Sequence, residues 1–108
     1  VIGNVKDKSC IMVDDIVDSG GTLCNAASAL KNEGATDVHA YVVHGVLSGG
    51  AIARVTNSDL ETLIIADSIP STETMRMSEK VEQLTVAPLI GEAIKRIAEE
   101  RSISELFK

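Results

Sequence analysis

The chain has 108 residues, 44% of them hydrophobic and 24% charged, a balance that suits one globular domain and argues against disorder, collagen-like repeats or a disulfide scaffold. Its formal charge is −6 and its aromatics are Tyr41 and Phe107 alone, so it lacks both the basic groove and the stacking rings of a nucleic-acid platform. No apolar run approaches the ~20 residues of a membrane helix, which leaves a small polar ligand or a protein partner as the expected binding class.

The chain opens Val1-Ile2-Gly3 without Met and reads as a fragment or excised domain, in which a site could be incomplete. Cys10-Ile11-Met12-Val13 is a short apolar run entering an acidic, Gly-rich loop, and reads as a buried parallel strand. From Thr22 the period changes: Leu23, Ala26, Ala27 and Leu30 follow the spacing of a helix face, and Gly34 stands where a helix commonly stops. Residues 38–43 form a second strand, Gly49-Gly50 punctuates, and Ala51 to Val55 reads as a short helix. Leu63 to Ala66 is a third strand ending at Asp67; residues 68–80 are polar, hold Pro70 and read as loop; Val81 to Val86 is a fourth strand. Pro88 belongs in the first turn of a last helix. That helix is expected to bury Ile90, Ala93, Ile94 and Ile97, with Glu92 and Arg96 paired on its wet side.

This alternation predicts an α/β fold, a mostly parallel sheet flanked by helices. Ligands of such sheets gather at the carboxyl ends of the strands, so the loop after the first strand is the first candidate site. Cys10 and Cys24 sit in apolar surroundings and read as two small buried hydrophobes of a reduced, cytoplasmic protein.

The candidate loop runs Val13-Asp14-Asp15-Ile16-Val17-Asp18-Ser19-Gly20-Gly21-Thr22. Ser19 to Thr22 can turn successive backbone N–H groups toward one point, and the following helix adds its positive end there, which together make an anion site of phosphate size. Gly20 and Gly21 allow backbone conformations that a Cβ would hinder. Asp14 and Asp15, as carboxylates, only accept hydrogen bonds, and a vicinal diol such as that of ribose offers two donors. Their charge would repel a bare phosphate, so they should face the sugar end of a sugar phosphate; Mg²⁺ could bridge carboxylate and hydroxyl oxygens there. Asp18, between the acids and the cradle, has two readings: a base at the anomeric hydroxyl, or a carboxylate that shapes the turn. The P-loop lysine and the GxGxxG spacing are both absent, and no Lys or Arg stands near the acidic loop in the sequence.

The string from Ile11 to Thr22 resembles the ribose-phosphate loop shared by type I phosphoribosyltransferases and ribose-phosphate pyrophosphokinase (PRPP synthetase). Val1-Ile2-Gly3-Asn4-Val5-Lys6, His44 to Gly49, Asp67-Ser68-Ile69-Pro70, Val86-Ala87-Pro88-Leu89 and the ending Ser102 to Phe107 are similar, in order, to the C-terminal part of PRPP synthetase. The resemblance implies that residues 1–108 are the C-terminal ribose 5-phosphate-binding domain, of phosphoribosyltransferase type I fold, of a two-domain enzyme. That enzyme transfers the diphosphate of ATP to the anomeric hydroxyl of ribose 5-phosphate, with Mg²⁺, giving PRPP and AMP. It also implies that Asp14 binds the sugar, with Asp15 in support, and that Asp18, Ser19, Gly20, Gly21 and Thr22 form the 5-phosphate loop. Ser102, Ser104 and Phe107 match an allosteric phosphate and nucleotide segment, and regulated members assemble as homo-hexamers. The ATP contacts, main metal ligands and basic catalytic loop are expected upstream of Val1, so the fragment alone is expected to be inactive.

Three rivals use related patterns. A phosphoribosyltransferase consuming PRPP would need a base-recognition hood that nothing here supplies. A signalling receiver domain would need a lysine near the fourth strand, where Thr85-Val86-Ala87-Pro88 has none. A non-catalytic PRPP-synthetase-associated subunit would keep the fold without the activity. Elsewhere, His39 and His44 stand five apart on one strand and point to opposite faces, and the cysteines lack CxxC spacing, so no zinc site is expected. His44 either borders a cleft or bonds to backbone in a turn; Asp67-Ser68 either line a cleft or cap a helix.

Overall fold

A computed structural model describes residues 3–99. Its elements in order are β1 (Ser9–Val17), α1 (Gly21–Asn32), β2 (Asp37–Gly45), α2 (Ala51–Thr56), β3 (Leu60–Ala66), α3 (Glu73–Met77), β4 (Val81–Leu84) and α4 (Ala87–Ala98). The four strands are all parallel and lie in the order β1-β2-β3-β4. The α/β reading therefore holds, with particulars that differ from the sequence expectation.

The first helix follows the pattern closely. Leu23, Ala27 and Leu30 lie on its packed face as expected, but Ala26 is exposed and Cys24 takes the buried place, and the helix stops at Gly34, whose φ of +98° lies in the left-handed region. There the Ala35 amide donates to the Leu30 carbonyl and the Gly34 amide to the Lys31 carbonyl, the paired bonds of a Schellman stop. The short α3 falls in the segment expected to be loop. Thr72 nucleates it, its hydroxyl accepting the Met75 amide at 3.2 Å, and Met75 turns into the core.

Strand β1 runs four residues past its expected end, through Asp14 and Asp15 to Val17. Asp is disfavoured in strands, but β1 is an outer strand and both carboxylates reach water. Nor is β1 buried on both faces as expected, for Ile11 is 61% and Val13 79% exposed. The reason is topological. Each strand pairs with the strand just before it, and right-handed crossovers between such neighbours put their helices on the same side of the sheet. Accordingly α1 packs on β2 and β3, and α2 packs on β3 and α1. The opposite face leaves Ile11, Val13, Tyr41, Val43 and Leu84 exposed. Helix α4 also departs from expectation. Ile90, Ile94 and Ile97 are exposed rather than buried and Ala93 is half-buried; the Glu92–Arg96 pair forms at 3.1 Å, but on the half-buried side of the helix and not on its wet side as expected. An apolar stripe specifies which side of a helix avoids water, not whether the described residues supply its cover. Cys24 is buried and Cys10 half-buried, and both are free thiols.

The core lies between the sheet and α1 and α2. Val38, Val55, Leu60, Leu63 and Ile65 are its largest fully buried side chains, and Ala27, Ala40 and Ala51 have no exposed area, which lets helix and sheet approach closely. Gly45, the last residue of β2, is placed by the same demand. A Cβ there would stand 2.6 Å from Ile65 Cδ1 and 3.2 Å from Ile65 Cβ, so rotating the Ile65 tip would not relieve the contact. Gly45→Ala is expected to destabilise the chain by about 1–3 kcal/mol through overpacking, read as a lower urea midpoint at constant slope.

Candidate functional site

The carboxyl ends of β1 and β2 meet at the register pair Val17 and Gly45. Beyond them β1 enters the turn Asp18-Ser19-Gly20 and then α1. Gly20 has φ +82°, a left-handed conformation that turns the chain sharply into the helix and that a side chain would strain. No side chain caps α1. The Cys24 amide is the first to bond back, donating to the Gly20 carbonyl at 2.9 Å. The amides of Gly21, Thr22 and Leu23 have no hydrogen-bond partner among the described residues. They form the positive end of a 12-residue helix.

That end opens on a cavity of about 300 Å³ lined by Asp14 and the continuous run from Ile16 to Leu23. Of the predicted site residues it brings together Asp14, Asp18, Ser19, Gly20, Gly21 and Thr22. Asp15 is not on its wall. Because β1 continues as a strand, neighbouring side chains alternate. Asp14 is in register with Val42 on the helix-covered face, and Asp15 stands on the open face. The two acids are therefore not a convergent pair, although the Asp14 carboxylate accepts the Asp15 amide at 2.8 Å. Asp18 stays exposed and its carboxylate accepts a hydrogen bond from the Ser48 hydroxyl.

The segment after β2 holds this loop from behind. The amides of Val46 and Leu47 donate to the Val17 carbonyl at 3.0 and 3.2 Å, and the Ser48 amide donates to the Asp18 carbonyl at 3.0 Å. Arg54 of α2 reaches across to donate from Nη1 to the Ser19 carbonyl. The expectation that no cation lies near the loop is corrected here: Arg54 is 35 positions away in sequence and adjacent in space. Parallel pairing of consecutive strands, which sets the loop after the second beside the loop after the first, was the signal that could have found it.

The remaining candidates fall elsewhere. His44 and Ser68 bond to each other, Nδ1 to Oγ at 2.8 Å, and neither is on the cavity wall. Asp67 anchors the turn before α4, its carboxylate accepting the Val86 amide at 2.9 Å, but no side chain caps α4, so Asp67 ties two strand-end loops together rather than capping a helix. His39 pairs with Asp37 at 2.7 Å near the start of β2, at the other end of the strand from His44. Ser102, Ser104 and Phe107 lie outside the described residues. Among the described residues no three His, Cys, Asp or Glu side chains converge on a point. Mg²⁺ needs no such cage, since it is often held by one or two carboxylates together with substrate oxygens. Asp14 and Asp18 are carboxylates of that kind on the cavity wall.

Comparison with known proteins bears on this arrangement. The model of the phosphoribosyl synthetase-associated domain family matches residues 1–108. The chain belongs to that family. Among curated proteins, the domain is 54% identical over 107 residues to a ribose-phosphate pyrophosphokinase of Granulibacter bethesdensis and 57% identical to one of Bradyrhizobium diazoefficiens. Each alignment covers 99% of this chain and 34% of the relative, so the domain spans about a third of their length. Among solved structures, phosphoribosylpyrophosphate synthetase of Mycobacterium smegmatis superposes with a TM-score of 0.85 at 36% identity, over 92% of this chain and 33% of that one. The parallel sheet with flanking helices is thus the fold of this part of PRPP synthetase.

Asp67 is one of two carboxylates, with Asp37, through which acid should act on the domain. The Val86 amide, then the Thr85 hydroxyl, donate to its charged form and hold its pKa below the ordinary carboxylate value. A group lowered in this way contributes stability above its unfolded pKa, and that contribution is lost as pH falls through the folded value. Asp67→Asn is therefore expected to show a shallower loss of stability below about pH 4 than the parent chain, measured by urea unfolding across pH.

Proposed function

We propose that residues 1–108 are the C-terminal, ribose 5-phosphate-binding part of a ribose-phosphate diphosphokinase. The observation that carries this reading is the uncapped start of α1, where free amides and two hydroxyls border a cavity that has Asp14 and Asp18 on its wall. An ester dianion is drawn to the amides of Gly21, Thr22 and Leu23 and to the helix end. Hydrogen bonds to a charged group contribute about 1.5–3 kcal/mol each, so three or four suffice to hold it. The carboxylates repel the phosphate and accept from the sugar hydroxyls, which orients the pentose toward Asp14. Asp15, on the open face, takes no direct part. Asp18 is engaged by the Ser48 hydroxyl, which favours a turn-shaping role over proton removal.

In the complete reaction the anomeric oxygen of ribose 5-phosphate bonds to the β-phosphorus of ATP. The bond from that phosphorus to the oxygen bridging the α-phosphate breaks, AMP leaves, and the hydroxyl proton is lost. This domain binds and orients the nucleophile. Mg²⁺, when bound, neutralises the charge that builds on the diphosphate, and Asp14 and Asp18 are its candidate carboxylates here. The exposed apolar sides of the sheet and of α4 support packing within a longer, homo-oligomeric protein, and the free thiols of Cys10 and Cys24 suit a cytoplasmic setting.

Titration of the ¹⁵N-labelled chain with ribose 5-phosphate is expected to move the amide signals of Ser19 to Leu23, while ribose without phosphate leaves them in place; equal effects from both sugars would refute the phosphate cradle. The same chain mixed with ATP, Mg²⁺ and ribose 5-phosphate is expected to form no PRPP, because its one tyrosine lies on the open sheet face and its loop cation is tied to a carbonyl. Measurable PRPP would show that these residues suffice for the transfer.

A further inference from the structure

We infer that Arg54 is a positioning residue for the phosphate loop, acting through the Ser19 carbonyl to aim backbone amides into the cavity. The inference rests on the ribose 5-phosphate reading for its ligand, but its geometry stands apart from it. Three consecutive carbonyls, those of Val17, Asp18 and Ser19, are all drawn to the segment 46–54, by the Val46 and Leu47 amides, the Ser48 amide and the Arg54 guanidinium in turn. In a trans peptide the C=O and the next residue's N–H point in opposite directions. The amides of Asp18, Ser19 and Gly20 must therefore face away from that segment. The cavity lies on that far side, since its wall includes Asp18, Ser19 and Gly20 and none of residues 46–54.

Arg54 matters most of the three ties, because it is the one made by a side chain and it falls at the hinge. The peptide it fixes joins Ser19 to Gly20, and with no Cβ at Gly20 the turn has other conformations open to it besides the left-handed one it adopts. Without a donor on the Ser19 carbonyl, that peptide could flip and present an oxygen to the ligand in place of the Gly20 amide. A carbonyl facing a dianion is repulsive where an amide is attractive, so one flip reverses the sign of a contact. Neighbouring amides in such a turn act as a nest, and losing one weakens the others' convergence.

The test uses the full 108-residue chain, with ribose 5-phosphate affinity and the ligand-free amide spectrum as separate readouts. Arg54→Met is expected to keep a folded, dispersed spectrum, to shift the Ser19 and Gly20 amides before ligand is added, and to weaken ribose 5-phosphate binding by about tenfold. Arg54→Lys, which retains a donor without the planar fork, is expected to fall between the two on both readouts. Unchanged affinity with unchanged loop amides in Arg54→Met overturns the inference. Weakened binding with loop amides in their parental positions also overturns it, pointing to direct contact with the ligand instead. Should the Met variant not fold, unaltered affinity and spectrum in Arg54→Lys would have the same force. If the parent chain does not bind ribose 5-phosphate at all, the ligand reading fails, while the ligand-free shifts still decide whether Arg54 sets the loop.

Discussion

The parallel pairing of β1 with β2, carried to its last rung at Val17 and Gly45, is the contact on which the candidate site depends. Where a pairing ends, two chains leave the sheet side by side, and what each does next constrains the other. Here the chain after β2 turns back along the loop after β1 and bonds to it residue by residue. The absence of a side chain at Gly45 lets Ile65 close over the same end. The loop is thus held by backbone bonds between neighbouring strand ends together with Arg54, before any ligand is considered.

A chain of formal charge −6 would not be chosen for an anion site on overall electrostatics. The proposed phosphate site would work on a shorter scale. Exposed carboxylates more than about 8 Å away are largely screened at physiological salt, whereas amides in contact with a bound phosphate are not. The fixed dipoles at the start of α1 therefore outweigh the distant surface charge. In the proposed site Asp14 and Asp18, which are close enough to matter, would impose a direction along the cavity rather than a veto on binding.

Much of this was legible in the residues. The i, i+3, i+4 spacing from Leu23 to Leu30 and the stop at Gly34 correspond directly to α1, and the run from Asp18 to Thr22 marked the turn. The misses have specific causes. A run-based reading ends β1 at Val13, because carboxylates seldom occupy strands, and so misses that Asp14 and Asp15 part to opposite faces. The five-residue α3 offers too little periodicity to register, although Thr72 followed by Glu73 is a usable start signal. Arg54 meets Ser19 through tertiary packing alone, and no local pattern reports it. The exposure of Ile90, Ile94 and Ile97 depends on what lies against α4, and the amphipathic pattern carries no information about that.

The open side of the sheet has a consequence for handling the molecule. Isoleucine, valine and tyrosine side chains on a flat surface would adhere to one another wherever molecules meet, and like charge keeps them apart. That protection vanishes near the isoelectric point of about 4.8, where attraction between apolar patches goes unopposed. Loss of charge repulsion between these patches, and not only loss of folding stability, is therefore a force to reckon with when the chain is acidified.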